Sequence, residues 1–456
     1  MTTIFAKRAL LTTGWAEQVR LTLHGGKISE ICVNTQPEPS DCHVNSLLPA
    51  LGNLHSHSFQ RAMAGMTEYR LAGRDSFWTW RELMYRFTAH LSPDQIEAIA
   101  ALVFMEMQEA GYASVGEFHY LHHQKDGQTY DNLAEHSDRI MAAAVETGIG
   151  LTHLPVLYSY AGVGKRPLEP GQLRFGNDVD QFCRLVELAR SAASTLPADC
   201  QVGIAPHSLR ATAPDDLARV LQTQAEDCLV HIHIAEQPKE VQEVLAGLGA
   251  RPVEWLTANA PVSQNWCLIH ATHMTQDETF AMARSGAVAG LCPITEANLG
   301  DGPFNGATYL EANGAFGVGS DSNVLISLTE ELRTLEYSQR LRDLARNVLV
   351  RGEGSVGHAL YTGAAKGSAQ ALGRGTGEIA EGQWADLLAI EASHPSLCAL
   401  TNDQILDGLV FAAKDSVITD LWSAGRHTVQ AGRHVARDQV VARYRQAMSN
   451  LLAEIG

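Results

Sequence analysis

The stretch LLPALGNLHSHSFQRAMAG, residues 47–65, places two histidines one residue apart, directly after an apolar run that is typical of a buried strand. In a strand, residues i and i+2 point to the same side, so His55 and His57 face the same way if the strand ends here. Paired imidazoles at a strand end have the geometry of metal ligands. The residues at the ends of the other strands therefore decide what this pair does.

Apolar or β-branched runs alternate with helix-like segments from residue 48 onward, which is typical of parallel βα units. One of the intervening segments, SPDQIEAIAALVFMEMQEAG, begins with Ser92 and Pro93 as plausible N-cap and first helical residues. Eight runs predict an α/β fold with a TIM-like (β/α)8 barrel, and a doubly wound open sheet is the alternative. In both folds, ligands bind beyond the carboxyl ends of the strands. The predicted strands are residues 48–55, 113–119, 149–157, 201–206, 229–235, 267–272, 287–292 and 315–321.

The two ends of the chain predict a second, smaller unit. The amino-terminal part contains short alternating segments, residues 376–392 indicate a turn followed by a strand, and HTVQAGRHVA indicates a hairpin. A charge-mixed helix over about 437–454 closes the chain. We expect both termini to pair into one small β domain. The predicted domains are residues 1–47 for its first part, 48–370 for the barrel and 371–456 for its second part with the final helix.

Ligand-type residues follow other predicted strands at the same end. The fifth strand ends in HIHIAEQ with His233 and Glu236, the sixth in IHATH with His270, and the eighth in GVGSDSN with Asp321. Three imidazoles and one carboxylate suit a divalent metal such as zinc and leave a position for water. Such a metal lowers the pKa of water toward neutrality, so that a hydroxide can attack an sp2 carbon.

Two residues beside this set have the chemistry of proton transfer. Glu236 suits a general base toward the water and a general acid toward a leaving nitrogen. His270 could stabilise the hydroxide or the developing tetrahedral centre. The strand ends therefore predict a hydrolase.

The HxH pair, the HxxE of the fifth strand, His270, Asp321 and the late segment GEIAEGQWADLLAI resemble the amidohydrolase superfamily, in its mononuclear deaminase branch, over nearly the whole chain. The resemblance implies a distorted barrel with a small β-sandwich domain formed from both termini. It also implies one divalent ion, with zinc expected although iron and cobalt accept the same ligands. Binuclear relatives carry a bridging lysine in the fourth strand, and this sequence reads VGIAPHSLRAT there. The implied metal ligands are His55, His57, His233 and Asp321, and the implied catalytic residues are Glu236 and His270.

The loops after the strands carry cationic groups. The loop after the first strand contains Arg61, Arg70, Arg74 and Arg81, and Arg210 follows the fourth strand. In a chain of net charge -17, arginines near the carboxyl ends of the barrel strands favour an anionic ligand. The arginine guanidinium suits a carboxylate best, because it can donate two parallel hydrogen bonds to the two oxygens.

With these loops the sequence is close to the formimidoylglutamate deiminase family of bacterial histidine degradation. That resemblance implies a small dicarboxylate amidine, N-formimidoyl-L-glutamate, as substrate, and N-formyl-L-glutamate and ammonia as products. Arg81, Tyr120 and Arg210 would hold the carboxylates, whereas Gln60 and His207 would lie nearer the formimidoyl end.

Two other functions remain open at this point. A deaminase for a heterocycle such as guanine or cytosine uses the same metal set, but it would need stacking aromatic and amide groups in place of paired arginines. An inactive barrel that serves as a scaffold would tend to lose ligands. The histidines His119, His122 and His123 predict a solvated loop cluster, and the Gly- and Pro-rich residues 160–178 predict either a lid or an ordinary surface loop.

Composition excludes several classes of partner. The chain has 34 Lys plus Arg against 51 Asp plus Glu without a basic cluster, so nucleic acid is not an expected partner. No signal-like h-region and no long apolar run is present, which predicts a cytoplasmic protein with no membrane contact. The eight cysteines show no CxxC spacing, which argues against a thiolate metal site. Homodimers are common among such folds, although no stretch of the sequence indicates an interface.

Overall fold

The computed structural model describes residues 2–69 and 77–455, so Arg70 and Arg74 lie outside the described residues. Strands dominate the amino-terminal part of the chain and alternate with helices after it. In chain order the strands are β1 (Thr2–Leu11), β2 (Gly14–His24), β3 (Lys27–Cys32), β4 (Cys42–Pro49), β5 (Leu51–Ser56), β6 (Tyr112–His119), β7 (Gly150–Leu157), β8 (Cys200–Val202), β9 (Ala205–Pro206), β10 (Val230–Ile234), β11 (Trp266–His270), β12 (Val288–Leu291), β13 (Ala315–Val318), β14 (Leu387–Ile390), β15 (Ile418–Ser423), β16 (Arg426–Gln430) and β17 (Arg433–His434).

The helices have the end signals that the sequence predicts. Ser92 caps the helix that begins at Pro93 with a capping box, and Gly249 ends another helix with a φ of 81° in the left-handed region. The helices are α1 (Phe77–Thr88), α2 (Pro93–Glu109), α3 (Glu135–Thr147), α4 (Val179–Ala193), α5 (Pro214–Thr223), α6 (Pro238–Leu248), α7 (Pro252–Asn259), α8 (Gln276–Ser285), α9 (Pro293–Leu299), α10 (Gly306–Glu311), α11 (Leu328–Asp343), α12 (Val356–Ala371), α13 (Gln404–Phe411) and α14 (Arg437–Ile455). Over the described ranges, none of them is long and apolar enough to span a bilayer.

Strands β5 to β13 form a parallel barrel. One sheet has the order β5-β6-β7-β8 with β9 also paired to β7, and the other has the order β10-β11-β12-β13. A bridge between Ile204 and Val230 joins the two sheets, and a bridge between Ser56 and Asp321 closes the ring. The predicted barrel is therefore confirmed, and the open sheet is wrong. The fourth strand position is broken into β8 and β9.

The closure of the ring also brings metal-ligand candidates together. The backbone N–H of Asp321 donates to the His55 carbonyl at 3.0 Å, and the backbone N–H of His57 donates to the Asp321 carbonyl at 2.9 Å. Gly319 permits this approach, because a Cβ there would lie 2.7 Å from the backbone N and O of His55. Backbone pairing thus holds the first and eighth strand ends side by side.

Both termini contribute to one eight-stranded sheet of order β17-β16-β15-β14-β4-β1-β2-β3, as the fold prediction requires. The predicted hairpin near the end of the chain is β16 and β17, and the predicted final helix is α14. The first predicted barrel strand begins too early, because Leu48 and Pro49 pair with β14 and belong to β4. The domain boundaries at 47/48 and 370/371 remain a prediction.

A buried charge network, here called the Arg374 joint, connects this sheet to the amino ends of the barrel strands. The Arg374 guanidinium donates to Asp386, just before β14, at 2.6 and 2.9 Å. It also donates to the carbonyl of Asp199, just before β8, at 2.7 Å and to the Asp199 carboxylate at 3.1 Å. Arg426 of β16 adds a second cation to Asp199 at 2.9 Å. Each buried charge in the joint therefore has a partner of opposite sign.

Candidate active site

Four side-chain atoms converge where the barrel closes. The Nε2 atom of His233 lies 3.1 Å from that of His55 and 3.3 Å from that of His57. The Oδ1 atom of Asp321 lies 3.3 Å from each of the two strand-one Nε2 atoms. A tetrahedral zinc ion with bonds of about 2.0–2.1 Å separates its ligand atoms by about 3.3 Å. The four atoms therefore have the spacing of one tetrahedral metal site, and no cysteine belongs to this group.

Hydrogen bonds on the far side of two rings decide which nitrogens carry protons. The Nδ1 atom of His57 lies 2.7 Å from the Phe118 carbonyl, and that of His233 lies 3.1 Å from the His207 carbonyl. A carbonyl only accepts, so each Nδ1 must carry the proton and each Nε2 presents a lone pair. Two lone pairs that face each other at 3.3 Å repel unless a cation lies between them. The donor set therefore fits a metal ion.

The charge states of these groups also suit a metal. Burial lowers the pKa of His55 to about 3 and lowers the pKa values of His57 and His233, so the imidazoles are neutral. Burial alone would raise the pKa of Asp321, but its hydrogen bond with His55 and the neighbouring imidazoles lower it below its ordinary value. Metal binding requires these protonation states.

Glu236 and His270 lie beside the four ligands. Oε1 of Glu236 is 3.8 Å from Nε2 of His270, which is 3.9 Å from Oδ2 of Asp321. Burial raises the pKa of Glu236 to about 7, a value suited to both taking up and releasing a proton near neutral pH. Burial would lower the pKa of His270, but the carboxylates of Glu236 and Glu296 raise it to about 10. The Nδ1 atom of His270 lies 3.2 Å from Glu296, a partner that the sequence did not indicate.

The backbone is strained where these residues are attached. Ala235, His270 and Asp321 have φ angles of 52°, 67° and 46°, in the left-handed region that residues with a side chain rarely adopt. His270 ends the sixth barrel strand, and Ala235 and Asp321 follow the fifth and the eighth. Such strain persists where the surrounding structure holds it, typically at functional sites.

A cavity of about 550 Å³, partly open to solvent, lies above the four ligands. Ten of the eleven sequence-predicted site residues line it, and the remaining one, His55, lies beneath and is fully buried. Aromatic side chains from α1, Tyr158 after β7 and Phe175 form most of the remaining wall. The ten residues are His57, Gln60, Arg81, Tyr120, His207, Arg210, His233, Glu236, His270 and Asp321.

The two arginines of the cavity have no ion-pair or hydrogen-bond partner among the described residues. Arg210 is only 6% exposed, yet within the described ranges neither it nor Arg81 forms an ion pair or a side-chain hydrogen bond. Arg81 lies over the Trp78 ring at 4.6 Å, and Arg210 lies 5.8 Å from the same ring. Burial would lower the pKa of Arg210, and the more distant carboxylates of Glu240 and Glu236 help to keep it charged. Two guanidinium groups with no anion among the described residues have the charge and donor geometry that suit a carboxylate.

Gln60 and Tyr120 form a polar pair in the cavity wall. Nε2 of Gln60 donates to the Tyr120 hydroxyl at 2.7 Å, and the Gln60 Oε1 atom is buried without a partner among the described residues. The Tyr120 ring lies 5.0 Å from that of His57. This pair therefore borders the metal-ligand group.

The prediction that His119, His122 and His123 form a solvated cluster is wrong. All three are buried, with exposures of 2% or less. The backbone N–H groups of His122 and His123 donate to the Arg174 carbonyl, at 2.9 and 3.0 Å. Residues 160–178 therefore cover this loop, a packing between distant segments that local sequence does not reveal.

Residues 160–178 are anchored to their surroundings. The Arg174 side chain donates to the carbonyls of His123 and Leu91, each at 2.9 Å, and to that of Thr88. Phe175 is 1% exposed and lines the cavity. The segment therefore forms part of the cavity wall.

Sequence reasoning missed two tyrosines of the cavity. Tyr158 follows directly after β7, and Tyr85 lies in α1 beside Arg81. The position of Tyr158 at a strand end is a signal that could have found it. No feature of the sequence around Tyr85 indicates that its side chain points into the cavity.

Known proteins resemble this chain along its whole length. Residues 46–428 match the family described as "Amidohydrolase family", and residues 1–43 match "Formimidoylglutamate deiminase HutF, N-terminal domain". The chain is 48% identical over 454 residues to formimidoylglutamate deiminase of Pseudomonas aeruginosa, which covers 99% of this chain and 100% of that relative. A 5-methylthioadenosine/S-adenosylhomocysteine deaminase of Shouchella clausii is 26% identical over 391 residues, or 83% of this chain and 80% of the relative.

Solved structures agree with these matches. An amidohydrolase from Brucella melitensis superposes with a TM-score of 0.95 at 47% identity, covering 99% of this chain and 100% of that one. An adenosine deaminase from Xanthomonas campestris with bound zinc superposes with a TM-score of 0.82 at 20% identity, covering 99% and 98%. The second likeness shows the fold alone. The resemblance predicted from the sequence is confirmed.

Proposed function

This chain belongs to the amidohydrolase family, and on that premise we propose that it is a metal-dependent deiminase that hydrolyses N-formimidoyl-L-glutamate to N-formyl-L-glutamate and ammonia. The observation that carries the proposal is that Arg81 and Arg210, which pair with no anion in residues 2–69 and 77–455, lie in the same cavity as the four-atom ligand group. A substrate with carboxylates at one end and an amidine at the other would complete both sets.

His55, His57, His233 and Asp321 would hold one divalent ion, for which we propose zinc. When bound, that ion supplies a Lewis acid that makes water nucleophilic at neutral pH. The barrel closure between Ser56 and Asp321 and the carbonyl bonds of His57 and His233 orient the ligands before any ion arrives.

Glu236 moves the protons of the reaction. Its carboxylate takes a proton from the water as the new C–O bond forms at the formimidoyl carbon. It then passes that proton to the amidine nitrogen. The second proton, from the new hydroxyl, follows to the same nitrogen through Glu236, so that the C=O bond forms as the C–N bond breaks and ammonia leaves. His270, charged and held by Glu296, donates toward the oxygen on which negative charge develops.

The substrate carboxylates supply the anions that Arg81 and Arg210 lack. Trp78 lies against the Arg81 guanidinium at 4.6 Å and limits its freedom, and Arg210 lies 5.8 Å from the same ring. Tyr120 contributes to the carboxylate end, and Gln60 and His207 orient the formimidoyl end near the ligand group. The reaction belongs to histidine degradation in the cytoplasm, and the partner is this small molecule.

Ammonia release tests the proposal. Purified protein is assayed with N-formimidoyl-L-glutamate, guanine and cytosine, each with and without chelator, and its metal content is measured. We expect release from formimidoylglutamate alone, loss on chelation, and about one divalent ion per chain. Release from guanine or cytosine without release from formimidoylglutamate would contradict the substrate and favour a heterocycle deaminase.

Two substitutions test whether the substrate of this metal site is a dicarboxylate. Arg81→Ala and Arg210→Ala should each lower kcat/KM for formimidoylglutamate by about 100-fold, since a buried charge partner is removed. Lys366→Ala, a surface cation paired with Glu378 away from the cavity, is the control and should leave kcat/KM unchanged. Wild-type kinetics in both arginine variants would contradict the proposed substrate.

A further inference from the structure

Gln172 donates hydrogen bonds to two tyrosine hydroxyls of the cavity wall. Its Nε2 amide donates to the hydroxyl oxygen of Tyr158 at 2.9 Å and to that of Tyr85 at 3.1 Å. The backbone N–H of Glu169 donates to the Gln172 Oε1 atom at 2.9 Å. Because an N–H donor can bond only the oxygen of the amide, this contact fixes which end of Gln172 faces the tyrosines.

The tyrosine hydrogens are therefore directed elsewhere. Each hydroxyl oxygen accepts from Gln172, so its own hydrogen is available for donation. In residues 2–69 and 77–455, the only acceptor within reach of either hydroxyl hydrogen is the hydroxyl of the other tyrosine. A bond between the two oxygens would use only one of the two hydrogens. At least one O–H hydrogen thus has no acceptor among the described residues, and both tyrosines line the cavity.

These donors lie beside the arginines. Tyr158 is 4% exposed, and its ring lies 4.6 Å from that of His207. The Arg81 guanidinium lies 5.6 Å from the Tyr85 ring. This side of the cavity consequently presents guanidinium N–H groups and hydroxyl hydrogens together, a wall that donates hydrogen bonds and suits an anion.

We infer that Tyr85 and Tyr158 are additional substrate-binding residues, which donate hydrogen bonds to the carboxylate end of a dicarboxylate substrate, and that Gln172 is the positioning residue that keeps their hydrogens free. The inference rests on the proposed function for the identity of the substrate. It gives the segment 160–178 a role in selectivity, since Gln172 lies within it. A ligand with a carboxamide in place of this carboxylate would bring its own N–H donors against the guanidinium and hydroxyl donors of the cavity. These donors therefore favour a carboxylate over an amide.

Kinetics and ligand binding of three variants test this inference. Tyr85→Phe, Tyr158→Phe and the double variant keep the rings and remove only the hydroxyls. KM for N-formimidoyl-L-glutamate should rise about 10-fold for at least one single variant and further in the double variant, with kcat little changed. The dissociation constant of glutarate, a dicarboxylate without an amidine, should rise by the same factor in calorimetric titration.

A nearby tyrosine provides the matched control. The Tyr160 hydroxyl donates to the Asp216 carboxylate at 2.8 Å, so its hydrogen already has a protein acceptor. Tyr160→Phe should leave both KM and the glutarate constant unchanged. Gln172→Leu should raise both in the wild-type background and should have no further effect in the double tyrosine variant, because it acts only through those hydroxyls.

The outcomes separate this inference from the proposed function. Unchanged KM and unchanged glutarate binding in the double tyrosine variant would overturn the inference, even if the wild type releases ammonia as proposed. A fall in kcat alone would overturn it as well. If the wild type binds glutarate but does not hydrolyse formimidoylglutamate, the proposed substrate fails, and weaker glutarate binding in the double variant would still support the two tyrosines as carboxylate donors.

Discussion

Two buried arginines at opposite ends of the barrel have opposite surroundings. Arg374, at the amino ends of the strands, contacts the carboxylates of both Asp199 and Asp386. Arg210, at the carboxyl ends, is buried as well but has no carboxylate within salt-bridge distance in the part of the chain that the structure describes. Burying a charge without a partner costs several kcal/mol, so such a site persists when its partner is a ligand. We therefore propose that the paired end stabilises the fold and that the unpaired end binds the substrate.

The largest expected effect at the unpaired end comes from Glu236→Gln. The variant keeps the size of the side chain but cannot take up a proton, so kcat should fall about 1000-fold. Metal content and the unfolding free energy should stay at wild-type values, because the Glu236 carboxylate forms no hydrogen bond with another described residue. Retained turnover with lost stability would assign Glu236 a structural role, and the two ends of the barrel would then not differ in function.

At the paired end, Arg374→Met should lower stability without changing catalysis. Its removal leaves Asp386 and Asp199 buried with less compensation, which should lower the unfolding free energy by about 3–5 kcal/mol. Urea unfolding measures this loss, and kcat/KM of the folded fraction should equal that of the wild type. Arg426→Met, whose side chain is 33% exposed, is the milder control.

A third buried arginine, Arg174, differs from both Arg374 and Arg210, because its guanidinium contacts backbone carbonyls and no carboxylate of the described residues. Arg174→Met removes donors from the carbonyls of His123, Thr88 and Leu91, which should cost about 2 kcal/mol of unfolding free energy. KM should also rise a few-fold, since Gln172 and Phe175 belong to the same segment. An unchanged KM with reduced stability would separate this segment from substrate binding.

The smallest effect is the pH dependence of the Arg374 joint. Burial alone would raise the pKa of Asp199, but Arg426 and Arg374 lower it below the ordinary value of 3.8. The carboxylate therefore contributes stability that is present above pH 3.8 and is lost as pH falls through its folded-state pKa. Urea unfolding of wild type and Asp199→Asn should show a difference that narrows below pH 4, and a constant difference would contradict the ion pairing.

Residues placed by local geometry were predictable from the sequence. His55, His57, His233, His270 and Asp321 lie at strand ends, and strand alternation with βα periodicity is sufficient to bring strand ends together. The same periodicity predicted the eight strand positions, α14 and the terminal hairpin.

Residues placed by contacts between distant segments were not predictable. The burial of His122 and His123 depends on Arg174, some 50 positions later in the chain. Tyr85, Gln172 and Tyr158 come from a helix, a covering segment and a strand end, and only the folded chain shows that one amide joins them. The early start predicted for the first barrel strand has a similar cause, because the partner of Leu48 and Pro49 is the distant β14.

The most direct test of the central claim measures Arg210→Met and Arg374→Met side by side. For each variant, urea unfolding gives the free energy of unfolding and steady-state kinetics gives kcat/KM with N-formimidoyl-L-glutamate. Arg210→Met should be at least as stable as the wild type and lose about 100-fold in kcat/KM, whereas Arg374→Met should lose stability and keep wild-type kcat/KM. If Arg210→Met lost as much stability as Arg374→Met and kept wild-type kcat/KM, the unpaired arginine would be structural and the claim would be contradicted.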